Sequence, residues 1–243
     1  MKIEGKGKIP AGQYDIIEID GNAHLLGEVT CGALSAEGRV RGASLACTGE
    51  AVLRGRASFS GGLAATELRT LGTLTCGALA AREALVAAGE VRIRGSLTGG
   101  DISALGTLAV GGEVTVGVFT LVGRAELAGQ LSAPRVEIAF ARGGELEAVK
   151  GEEIEIRPRH VRGLLGKIPP VRRLLAATRG ILSVHTSIEG DAVRLDRVRC
   201  PEVTGRTVTL GDGCSVDLVR YREEITVAKG ARVGRVEKIE WKK

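Results

Sequence analysis

Aromatic residues, proline, histidine and long apolar runs are all scarce in this chain, and each shortage narrows what it can do. Aromatics make up 2% of 243 residues, and Tyr14, Tyr221, Trp241 and the three phenylalanines are scattered. Surfaces that bind sugars or single-stranded nucleic acid rest on stacked rings, so neither partner is expected. No apolar run approaches the ~20 residues of a membrane-spanning helix. The opening MKIEGKGKIPAGQYD has no apolar stretch of the secretory kind, and the expectation is a cytoplasmic chain. The five cysteines are odd in number and form no CxxC, so neither a disulfide framework nor a metal site is expected. His24, His160 and His185 have no carboxylate or nucleophile at a recurring spacing. No catalytic residue, cofactor or small-molecule substrate is expected.

Glycine is abundant, with 36 residues. Gly21, Gly38, Gly55, Gly72, Gly89, Gly106 and Gly123 stand 17 residues apart without a slip. A fixed period of this length marks a solenoid, in which each repeat packs only on its neighbours. Two residues after each glycine the chain is apolar: Ala23, Val40, Ala57, Leu74, Val91, Leu108, Ala125. A second apolar column runs Leu34, Ala51, Leu68, Leu85, Ile102, Phe119, Val136. A third runs Val29, Leu45, Leu63, Leu79, Leu97, Val114, Leu131, with one-residue slips. Apolar character often recurs two residues on, as in Val91 with Ile93, which is strand alternation rather than a helical stripe. Three inward positions per coil predict an all-β, single-stranded parallel β-helix with three short strands per 17-residue coil. The glycines then mark corners, where positive φ or a missing side chain is needed. Cys76 shares a column with Phe59, Ile93, Val110 and Leu127, and Cys31 and Cys200 follow inward valines. These thiols read as small buried apolar groups.

Residues 1–12 read as a flexible polar lead-in that could include frayed strand, and regular coils begin near Tyr14. The β-helix is expected over 13–156, with longer corners after Val136 and inward Ile138, Phe140, Leu146, Ala148, Ile154 and Ile156. Residues 157–180 break the pattern with Pro158, Pro169 and Pro170 and read as a basic loop with a short helix over Val171–Thr178. The 17-residue period returns in 181–243, where Val208 aligns with Ile225, Leu210 with Val227, Val216 with Val233 and Val219 with Val236. About twelve coils at ~4.8 Å would stack to roughly 55–60 Å.

The net charge is +5, and the insertion carries seven basic residues and no acid, leaving the rest at −2. Arg157, Arg159, Arg162, Lys167, Arg172, Arg173 and Arg179, interspersed with leucines, suit an anionic membrane surface or an acidic partner. The competing reading folds them onto the chain's own Glu145, Glu147, Glu152, Glu153 and Glu155. Nucleic acid is a weaker option, since no known module is present. Enzymes with related coils remain to be weighed. Acyltransferases of the hexapeptide type keep a period near 18, and this chain keeps 17. Polysaccharide-cleaving β-helices cluster carboxylates, whereas the position after each corner glycine reads Asn22, Arg39, Arg56, Thr73, Glu90, Thr107, Arg124.

A β-helix leaves unpaired backbone at both ends, a template for further pairing. Ile16, Ile17 and Ile19 near one end, and Val233, Val236 and Ile239 near the other, are the expected end-to-end contacts. Glycine-punctuated 17-residue coils with few aromatics resemble the bactofilin family, the polymer-forming cytoskeletal proteins of bacteria. Three further stretches are similar to its longer members: Gly5-Lys6-Gly7 with Gly12-Gln13-Tyr14, Ile188-Glu189-Gly190-Asp191, and Val208 to Cys214 with Val219-Arg220-Tyr221. The resemblance implies a right-handed β-helix that assembles with itself, without nucleotide, into filaments. It also implies a scaffold at the membrane or cell pole, serving cell shape, wall synthesis or motility. The basic insertion and the added C-terminal coils depart from the compact members. The alternative is a non-polymerising adaptor that presents the basic insertion to a partner.

Overall fold

Alternating inward apolar and outward polar residues over most of the chain leave little besides strand to form. In a computed structural model of the protein, residues 1–159 and 180–240 are described, and every regular element among them is a β-strand. All the strand pairings described are parallel, each strand lying beside the one a coil further along. The expected β-helix is therefore the fold.

The chain divides into two compact units, Met1–Phe119 with Leu127–Gly129, and Thr120–Glu126 with Gln130–Lys243. The first holds β1 (Lys2–Ile9), β2 (Gly12–Leu25), β3 (Glu28–Gly42), β4 (Ser44–Cys47), β5 (Glu50–Phe59), β6 (Gly62–Cys76), β7 (Ala78–Ile93) and β8 (Leu97–Val110). β9 (Val114–Ser132) supplies residues to both. The second holds β10 (Arg135–Phe140), β11 (Gly144–Lys150), β12 (Glu153–Pro158), β13 (Leu182–Val184), β14 (Ser187–Leu195), β15 (Val198–Leu210), β16 (Ser215–Val227) and β17 (Arg232–Lys238).

In the first unit the glycine column sets the register. Gly5, Gly21, Gly38, Gly55, Gly72, Gly89 and Gly106 pair in sequence from rung to rung. Around each, strand alternation stops: Ala36 and Val40 are buried, and Glu37, Gly38 and Arg39 between them are all exposed. That interruption is the corner. The backbone stays extended through it, so the three short faces of a coil merge into strands as long as 16 residues in β7. Gly72 shows why no other residue serves. Its φ is +123°, and an added Cβ would lie 2.2 Å from the Gly55 carbonyl oxygen of the preceding rung.

All three apolar columns point inward, and every member is buried. The slips in the third column are irregularities of pairing: Leu63 pairs with Leu79, 16 residues on, and Leu68 with Leu85, 17 on. All five cysteines are buried and free. Burial pushes the Cys31, Cys76 and Cys200 thiols up to about 12, and Cys214 is raised for the same reason.

Two expectations need correction. Residues 2–9 are not a loose lead-in but the paired strand β1, in register with Glu18–Leu25 of β2. Its Ile3 and Ile9 are buried, at 8% and 0% exposure. They stand six apart across a glycine corner, which hides the alternation. In β11 the inward residue is Val149, not Ala148.

In the second unit the ladder crosses the long segment without losing register. Leu146 pairs with Val184 and Val149 with Ile188, and β12 pairs with β14. The short helix expected within the insertion, at 171–178, lies outside the described residues.

Candidate assembly edges

A strand with a neighbour on one side only presents a row of unpaired backbone groups. Among the described residues, β1 and β17 are such strands: β1 pairs with β2, and β17 with β16.

The β17 edge is stepped. β17 covers the first part of β16, so Val216 and Val219 are 2% and 0% exposed beneath Val233 and Val236. The remainder of β16, Glu224 to Val227, pairs back to β15 and has no described strand beyond it. Column by column the exposure rises sharply. Leu210 is 0% exposed and its partner Val227 is 43%; Val219 is 0% and its partner Val236 is 47%. Ile225, Val233 and Ile239 are half-buried. Three of the expected contacts, Val233, Val236 and Ile239, thus lie on one edge, joined by Ile225 and Val227 from the rung before. The alignment of Val208 with Ile225 and of Leu210 with Val227 already pointed to those two.

The N-terminal contacts fall differently. Ile17 and Ile19 are 0% and 4% exposed, buried behind β1, and Ile19 pairs with Ile3. They belong to the core and do not form an edge. Ile16 is 54% exposed, because inward alternation is carried by Ile17 and Ile19. At β1 itself the Ile3 side chain folds over Gly7, whose added Cβ would come within 2.7 Å of it. The Tyr14 hydroxyl donates to the Pro10 carbonyl oxygen at 3.0 Å. The outward residues of β1 are Lys2, Glu4, Lys6 and Lys8.

Of the basic residues 157–179, Arg157 and Arg159 are described. Arg157 is already satisfied within the chain, 3.1 Å from Glu137 through Nη2 and 3.1 Å from Glu155 through Nε. That matches the reading that turns basic residues onto the chain's own acids. Arg159 is exposed, and its backbone N–H donates to the Phe140 carbonyl at 2.7 Å. Arg162, Lys167, Arg172, Arg173 and Arg179 lie outside the described residues, as does His160. His24 and His185 are exposed. Among the described residues no group of three or more His, Cys, Asp or Glu could hold a metal ion.

A second charged surface escapes a search centred on the insertion. Lys6, Lys8, His24, Arg39, Arg41 and Arg56 line shallow depressions over Gly7, Ala23 and the glycine column of the first unit. The signal for it is in the sequence, since the position after each corner glycine includes Arg39 and Arg56. Comparison with known proteins yields no matching family model, no matching curated protein and no matching solved structure.

Proposed function

We propose that this protein is a structural scaffold that assembles with itself end to end into filaments without nucleotide, in the manner of the bactofilins it resembles. The observation that carries this reading is the β17 edge, where unpaired strand backbone coincides with exposed Ile225, Val227, Val233, Val236 and Ile239. Covering the exposed half of a valine stabilises by roughly 1 kcal/mol, and several such residues act together with the backbone pairing of an added strand. A soluble monomer would be expected to blunt such an edge with charge or a polar cap. The role proposed is architectural rather than catalytic, in the cytoplasm and at the inner face of the membrane, in support of cell shape, wall synthesis or motility. No cofactor is required for it.

Sedimentation of the purified chain tests the reading. Wild type should pellet as large species, and Val236→Lys and Val227→Lys should each leave it in the supernatant with its strand circular dichroism intact. Discrete small species in the wild type would reject it in favour of an adaptor.

A further inference from the structure

Most described ion pairs obey one pattern: a basic residue meets a glutamate two residues away or one rung away. Arg69 does both, with Glu67 at 3.4 Å and Glu50 at 2.9 Å. Arg92 with Glu90 and Arg124 with Glu126 are of the first kind. Arg206 with Glu223 is of the second. One strip of the first unit departs from this. On the two sides of Gly5, Gly21 and Gly38 the exposed positions read Glu4, Asp20, Glu37 before the glycine and Lys6, Asn22, Arg39 after it. Glu4 pairs with Lys2 at 2.7 Å. Asp20, Glu37, Lys6 and Arg39 enter no ion pair among the described residues. An acidic column and a basic column thus run in parallel, unneutralised, with a ridge of side-chain-free residues between them.

We propose that this ridge docks on the same ridge of a second copy of the chain, the two copies side by side with parallel coil axes. A two-fold axis parallel to the coils sets the residue before the glycine in one copy against the residue after it in the other, at the same rung. Glu4 then meets Lys6, Asp20 meets Asn22 and Glu37 meets Arg39, each twice, as an isologous contact requires. The glycines let the two backbones approach. The rungs match because both copies have the same coil spacing, so the fit does not drift along the axis. A lipid surface or a phosphate polymer has no such pitch, and neither would use the acidic column. At the next rung Arg54 and Arg56 set two cations against each other, and the match ends there.

Exposed ion pairs contribute about 0.2–1 kcal/mol each, so the contact is weak and salt-sensitive. Its repetition along paired filaments rests on the end-to-end reading; the contact itself does not. Sedimentation velocity at low and high salt separates the two, because side-by-side pairs form even if filaments do not. In electron micrographs, loss of pairing narrows filaments without shortening them.

Glu37→Lys and Arg39→Glu should each weaken side-by-side association at least about tenfold, since two attractions become repulsions. The double variant Glu37→Lys/Arg39→Glu should restore it, as should an equimolar mixture of the two single variants. Arg54→Glu should strengthen it by completing the fourth rung opposite Arg56. A double variant no better than the single ones overturns the proposal. So does a wild type that stays unpaired at low salt while binding phosphatidylserine vesicles through Arg39, which would give the basic column to an anionic surface.

Discussion

β1 and β17 hold the same position in their ladders, a parallel strand with one described neighbour, yet they bury their apolar residues to opposite extents. In β1, Ile3 and Ile9 are 8% and 0% exposed; in β17 and the rung before it, Val236 and Val227 are 47% and 43%. Backbone pairing alone therefore does not make an edge adhesive. β1 closes itself locally, with Ile3 folded over Gly7 and lysines outward at positions 2, 6 and 8. β17 lacks such a device among the described residues. Its valines are spaced to repeat the columns of β16, so its outer face is shaped like an interior layer. Such a surface accepts another rung.

The largest effect expected is in neither edge but in the ladder between. Gly72→Ala forces a side chain onto φ +123° and into the Gly55 carbonyl. It should cost at least about 3 kcal/mol or abolish folding. Gly62→Ala, with nothing within 4 Å, should lie within about 0.5 kcal/mol of wild type. Urea denaturation checks both. Opening the closed edge comes next. Ile9→Asp buries a charge at a 0% exposed position and should cost roughly 3 kcal/mol. Val236→Asp at the open edge should change stability by less than about 0.5 kcal/mol while reducing self-association. Equal stability losses at the two sites would remove the distinction between the edges.

Alkaline pH should weaken the ladder itself. Cys31, Cys76 and Cys200 are held up to about 12 from a usual value of 9.0. Above that usual value the unfolded chain loses thiol protons that the folded chain keeps, so stability falls as pH rises from about 9 to about 12. Denaturation midpoints of the wild type and of Cys76→Ala should converge across that window. The smallest effect is expected at Arg157→Ala. It removes two exposed ion pairs, with Glu137 and Glu155, and should cost under about 1 kcal/mol without altering assembly.

Much of the fold was legible because a solenoid repeats its constraints. One glycine every 17 residues and three apolar columns each state the same geometry several times, so a single ambiguous residue does not mislead. Legibility failed where repetition did. β1 is one rung, with Ile3 and Ile9 separated by a corner, and nothing before it corroborates the pattern. Ile16 follows a tyrosine and an aspartate and precedes two more isoleucines, so sequence alone does not say which of three isoleucines turns out. The adhesive edge was half legible: Val233, Val236 and Ile239 follow from the period. The burial of Ile17 and Ile19 depended on β1. The charged ridge was visible as Arg39 and Arg56 beside the glycines, but its meaning needs the register that sets Glu37 beside Asp20 and leaves both without cations.

The most direct test of the assembly edge is negative-stain electron microscopy of wild type and Val236→Lys at matched concentration, at low and high salt, with no nucleotide. Thin unbranched filaments in the wild type and short uniform particles in the variant are the predicted result. Short particles in both, or filaments of equal length in both, would contradict end-to-end assembly through β17.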